Sequence, residues 1–139
     1  MKKDTIHIES RTERLSTVRD FVSAAAKDFG FSEEDVGKIT LAVDEACTNI
    51  IKHAYANNPS KDIAITVSGL DRAFEISILD HGVTFNPLDV PRPDLKEYRA
   101  HPRRGGLGVH LMRSLMDKVE YEIVPGKQNE VRLTKYIAN

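Results

Sequence analysis

The stretch VGKITLAVDEACTNIIKHAY, residues 36–55, constrains the fold more than any other part of the chain. Apolar or small residues recur at Val36, Ile39, Thr40, Val43, Cys47, Ile50, Ile51 and Ala54. At about 100° per residue these positions share one wedge, as in an amphipathic helix with one face toward a core. Ser32, followed by Glu33, Glu34 and Asp35, supplies an N-cap and an acidic first turn, so the helix begins there. Asn57-Asn58-Pro59 breaks it beyond Tyr55. Such a helix must bury its stripe against a second layer.

The remaining segments supply that layer. TIHIE alternates polar and apolar residues and predicts a first strand at 5–9. Leu15, Val18, Phe21, Val22 and Ala25 recur at helical spacing within 11–29, and Gly30 ends that helix as a C′ glycine. Two strands follow, around 62–68 and 73–79, with a turn near 69–72. After a long loop, residues 109–116 read as a helix. VEYEIV and EVRLTKYI close the chain as a hairpin around Pro125 and Gly126. This order predicts an α+β two-layer sandwich, with helices on one face of a mixed, mostly antiparallel sheet. With 139 residues, 40% of them hydrophobic and 29% charged, the chain suits one domain over residues 1–139.

Charge and cysteine content narrow the function classes. A net charge of -1 and a pI near 6.5 provide no global field for nucleic acid or an acidic membrane surface. Arg99, His101, Arg103 and Arg104 form one local basic cluster. The single cysteine, Cys47, excludes an internal disulfide and fits a reducing compartment. No apolar run reaches membrane-spanning length, and MKKDTIHIES lacks the apolar stretch of a signal peptide. The expected location is the cytoplasm, with no membrane and no direct nucleic-acid contact.

Three polar or glycine-rich features stand out from this background. Glu45 and Asn49 lie one helical turn apart, off the apolar stripe, with Leu41, Ala42 and Ala46 around them. A solvated face and a pocket floor both fit that pair. ISILDHG brings Asp80 to the end of an apolar strand, with Gly82 just beyond. A simple strand-ending turn and a ligand-accepting carboxylate both fit here. Gly105, Gly106 and Gly108 crowd before the next helix, each glycine costing about 1 kcal/mol near a helix relative to alanine. They suit either a flexible loop or an anion site, because a helix start offers unpaired N–H groups. The loop before them, residues 79–104, holds Pro87, Pro91, Pro93 and Pro102, and loops of that length are usually functional or mobile.

Taken in order, Glu45-x-x-x-Asn49, Asp80-x-Gly82 and Gly105-Gly106-x-Gly108 resemble the N, G1 and G2 boxes of the GHKL ATPase superfamily. Within it, the chain is similar to the bacterial anti-sigma-factor serine/threonine kinases of partner-switching systems, over nearly its whole length. The resemblance implies a histidine-kinase-like ATPase domain that binds ATP with Mg²⁺. It makes Asn49 the magnesium ligand and Glu45 the general base toward a serine or threonine hydroxyl. Asp80 would receive the adenine amino group, with Gly82 beside the base. Gly105, Gly106, Leu107 and Gly108 would lie against the phosphates, and residues 83–104 would form the ATP lid. Two positions depart from the histidine-kinase pattern: Arg104 precedes Gly105 where a glycine is usual, and Thr84 stands two residues after Gly82. No phosphoacceptor-histidine helix or dimerisation hairpin is visible.

The implied function is an ATP-dependent serine/threonine protein kinase acting as an anti-sigma factor. Its implied partners are a sigma factor, an anti-anti-sigma antagonist that it phosphorylates, and a second copy in a homodimer. A nucleotide-gated binding module without useful kinase activity is the alternative. An interaction domain that binds no nucleotide would be a third reading, marked by a melting temperature unmoved by ATP and magnesium.

Overall fold

The computed structural model describes residues 2–83 and 106–138. The chain begins with strand β1 (Asp4–Glu9), a 3₁₀ turn (Thr12–Arg14) and helix α1 (Leu15–Phe29). Helix α2 (Glu33–Asn49) runs directly into a π-helical turn (Ile50–Ala54). Strands β2 (Asp62–Leu70) and β3 (Ala73–Asp80) follow, then helix α3 (Gly106–Leu115) and strands β4 (Lys118–Val124) and β5 (Gln128–Tyr136). The five strands form one sheet in the order β1-β2-β3-β5-β4. Every pairing is antiparallel, so the sheet has none of the parallel character that "mixed" allowed for.

Local chemistry explains most of these boundaries. Gly30 leaves α1 at φ +116, a left-handed torsion that favours glycine, and its N–H closes the helix onto Ala26 and Lys27 carbonyls. Ser32 caps α2 by accepting a hydrogen bond from the Asp35 N–H at 3.2 Å. The final hairpin turns at Gly126, φ +75. Helix α3 starts earlier than its apolar spacing predicts: Gly106, Leu107 and Gly108 form its first turn instead of a preceding loop.

The core lies between the helices and one sheet face. Ile63, Ile65 and Val67 of β2, Phe74, Ile76 and Ile78 of β3, and Val131 and Leu133 of β5 are all buried. Most of their neighbours are exposed or half-buried, as strands covered on one face require, with Ala64 and Thr134 the buried exceptions. Against them sit Val18, Val22 and Ala26 from α1, Ile39, Val43 and Cys47 from α2, and Met112 from α3. Phe29, Phe31 and Phe74 meet at ring separations of 5.4–5.7 Å. The opposite sheet face is polar, with Arg132 hydrogen-bonded to Glu122 and Glu130 at 2.9 Å each.

Where α2 ends, the helix changes register. Tyr55 N–H bonds to the Ile50 carbonyl five residues back, at 2.9 Å, instead of four. The wider turn keeps Ile50, Ile51 and Ala54 all buried. Turns of this kind inside or at the end of a helix recur at functional sites. Here it begins immediately after Asn49.

Candidate functional site

Alternation along β3 puts Phe74, Ile76, Ile78 and Asp80 on the same face. The fourth member of an apolar row is therefore a carboxylate, delivered to the end of the core and only 3% exposed. In the β3–β5 register Asp80 stands opposite Asn129, which is 6% exposed and lies on the same face as Val131 and Leu133. Asp80 Oδ1 accepts hydrogen bonds from Asn129 Nδ2 and from Gly82 N–H, both at 2.9 Å. Burial pushes the Asp80 pKa above its ordinary value, against the opposing pull of those two donors. Its second oxygen, Oδ2, takes no hydrogen bond among the described residues.

The segment after Asp80 is clamped to the π turn. A Cβ on Gly82 would sit 2.3 Å from the Ala54 carbonyl oxygen and 2.8 Å from the Ala54 Cβ. The absent side chain thus admits the chain's own backbone. Val83 N–H then donates to the Ala54 carbonyl at 2.9 Å. Tyr55 ties the same corner from the next position: its hydroxyl donates to the Asp62 carbonyl and accepts from His81 N–H at 2.8 Å. Asn129 Nδ2 also reaches the Val83 carbonyl at 3.1 Å. These bonds hold Asp80 in one orientation at the edge of a cleft.

The cleft is lined by Ala46, Asn49, Asp80, Tyr121 and Asn129, among others. Asn49 reaches it from the last residue of α2 and is 6% exposed. This corrects the sequence reading, which put Asn49 on the far side of the helix from the core. Helix α2 packs against α1 on one side and α3 on the other, so its buried arc is wider than its apolar stripe. Asn49 Nδ2 has no hydrogen-bond partner among the described residues. A buried amide N–H without a partner costs free energy, and an acceptor atom of a bound ligand is one way to recover it.

Glu45, half-buried one turn earlier on α2, does not line this cleft. Gly106, Leu107 and Gly108 open α3, while Gly105 lies outside the described residues. The same is true of residues 84–104, which hold the expected lid and the cluster of Arg99, His101, Arg103 and Arg104. The structure therefore brings together Asn49, Asp80 and Gly82, and adds Asn129 and Tyr55, which the sequence reading did not identify. One signal pointed to Asn129: on the 129, 131, 133 alternation of β5, an amide stands where a hydrophobe is expected.

The donors fit magnesium. Asn49 offers an amide oxygen, a hard oxygen ligand, from the last residue of α2. Among the described residues no group of three histidines, cysteines or acids could hold a metal by itself. A cation here would draw its other ligands from phosphates and water, as magnesium commonly does.

Comparison with known proteins identifies the family and the fold. Residues 8–135 match the family described as the histidine kinase-like ATPase domain. Serine-protein kinase RsbW of Bacillus thuringiensis (strain Al Hakam) is 31% identical over 140 residues, covering 98% of this chain and 86% of the relative. The protein of the same name from Bacillus anthracis is 30% identical over 145 residues with the same coverage. Among solved structures, the RsbU and RsbW domains of a Mycobacterium tuberculosis protein superpose with a TM-score of 0.68 at 16% identity. That alignment covers 98% of this chain and 32% of the other. The Acinetobacter baumannii histidine kinase AdeS gives a TM-score of 0.54 at 12% identity, over 100% of this chain and 70% of the other. At such identities both structures speak to the fold alone.

Proposed function

This chain belongs to the family of histidine kinase-like ATPase domains, and on that premise we propose that it is an ATP-dependent serine/threonine protein kinase of the anti-sigma type. It binds a sigma factor and phosphorylates an anti-anti-sigma antagonist. One observation carries the reading. Asp80 and Asn49 come from different elements into one cleft, both buried, each with a polar atom that takes no hydrogen bond among the described residues. The activity for which the RsbW relatives are named, serine-protein kinase, supports the reaction.

Each residue then has a task. Asp80 Oδ2 accepts the adenine amino group, and Gly82 serves the base through its N–H, which holds the Asp80 carboxylate by Oδ1. Main-chain N–H groups of Gly106, Leu107 and Gly108 meet the phosphate oxygens where α3 begins, at the positive end of its dipole. The Asn49 side-chain oxygen would hold magnesium, which would supply charge neutralisation at the phosphates. The acceptor hydroxyl oxygen bonds to the γ-phosphorus as the bond to the bridging oxygen breaks, ADP departs, and Glu45 takes the hydroxyl proton. The whole stretch 1–139 acts as one ATP-binding unit in the cytoplasm, and β1, an edge strand, suits pairing with a second copy. No helix among the described residues is long and apolar enough to cross a membrane.

Asn49→Ala tests the magnesium assignment. Asn49 Nδ2 makes no hydrogen bond among the described residues that removal would break, so the variant is expected to fold. Calorimetric titration with ATP should show the magnesium-dependent part of the affinity reduced by about tenfold or more, the size of losing a contact of ~1.5–3 kcal/mol to a charged group. Affinity in chelator should match the wild type. An unchanged response to magnesium would remove Asn49 from the site.

A further inference from the structure

We propose that Asn129 is the residue that makes this site select adenine over guanine. The inference rests on the reading that Asp80 receives the purine base. A carboxylate with both oxygens open is a fork of acceptors. Guanine presents a matching fork of donors, its N1–H beside its exocyclic amino group, and such bidentate pairing is strong. Adenine presents one amino donor beside a ring nitrogen that can only accept. A carboxylate that is to prefer adenine must therefore offer one oxygen and withhold the other.

Asp80 meets that requirement through its neighbours. Each carboxylate oxygen has about two lone-pair sites. On Oδ1 both are taken, one by Gly82 N–H and one by Asn129 Nδ2, each at 2.9 Å. Oδ2 alone is left for a ligand. The Gly82 donor comes from backbone and is the same for any side chain, so Asn129 supplies the variable half of the block. Its orientation is set: Nδ2 faces three oxygens, those of Asp80, Val83 at 3.1 Å and Gly82 at 3.4 Å. Flipping the amide would turn its carbonyl toward all three. Both Asp80 and Asn129 are buried and both line the cleft, so water competes weakly for these bonds.

Asn129→Thr and Asn129→Val test the idea as a pair. The two replacements have nearly the same shape and both suit a β-strand, but only threonine keeps a donor that can reach Asp80 Oδ1. Wild type and variants are titrated calorimetrically with Mg-ATP and with Mg-GTP, and the ratio of the two affinities is the readout. Valine should narrow the preference for ATP by about tenfold, the effect of one hydrogen bond to a charged group, with part of the change being a gain in GTP affinity. Threonine should restore the wild-type ratio. If valine weakens both nucleotides equally and the ratio stays put, Asn129 only supports the fold and the proposal is overturned. Asp80→Asn in the same series separates the two levels. Unchanged ATP affinity in that variant would defeat the adenine reading itself, and the role of Asn129 with it. Weakened ATP binding there, with threonine and valine both keeping the wild-type ratio, would leave the adenine reading standing and remove Asn129 alone.

Discussion

Glu45→Gln is expected to transfer phosphate ~10²–10⁴ times more slowly than the wild type while binding ATP at least as well. Glutamine keeps the size and hydrogen-bonding reach of glutamate but cannot take a proton. Glu45 stands on α2 one turn before Asn49 and outside the cleft that holds Asp80, so its removal leaves the base-binding contacts intact. A carboxylate near the phosphates also repels them, and neutralising it relieves that repulsion. The experiment measures labelled phosphate on a protein acceptor in single turnover, beside ATP affinity by calorimetry. Loss of rate without loss of affinity marks a group that acts in the transition state. Equal transfer by both proteins would take the chemistry away from Glu45.

Asp80→Asn is expected to weaken ATP binding by about 10- to 150-fold, the effect of losing ~1.5–3 kcal/mol from a hydrogen bond to a charged acceptor. The same change should leave the nucleotide-free protein as stable as the wild type at neutral pH, or more stable. The sign follows from burial. The Asp80 pKa is raised in the folded state above its ordinary value, so the folded protein holds this proton to higher pH than the unfolded chain does. Stability from this group is present below the unfolded pKa and is lost as pH rises through the folded one. At neutral pH the charged carboxylate is thus a standing cost. An asparagine oxygen can still accept from Gly82 N–H and Asn129 Nδ2, so the network survives while the charge goes. Thermal melts without nucleotide and ATP titrations on the same sample check both halves. A variant that melts lower and binds ATP normally would make Asp80 a structural residue. A site residue that costs stability and confers binding is the usual pattern of a functional carboxylate.

Local features of the fold could be read directly from the chain. Gly30 at a left-handed torsion, Ser32 capping α2 and the alternation of β3 each depend on residues within a turn of one another. Asp80 was identifiable because an apolar strand ends on it. The role of Asn129 was not, because its partner is 49 residues away and meets it only through the β3–β5 register. The predicted last strand also began at Glu130, one residue too late to include it. The requirement for glycine at position 82 is likewise a tertiary fact, set by the Ala54 carbonyl against which it lies. The π turn after Asn49 arises where a helix end must bury Ile50, Ile51 and Ala54 together, and apolar spacing shows the burial without the register change. Burial of Asn49 depended on α3 covering a face of α2 that lacks a continuous apolar stripe.

The most direct test of the account is phosphate transfer itself. The purified protein is incubated with magnesium, ATP labelled at the γ-position and the antagonist protein proposed as its substrate, and the products are analysed by mass spectrometry. The account predicts one phosphate ester on a serine or threonine of the antagonist, ADP formed in equal amount, and neither product with Glu45→Gln on the same timescale. ATP bound tightly, with no phosphate on any antagonist residue after prolonged incubation, would contradict it.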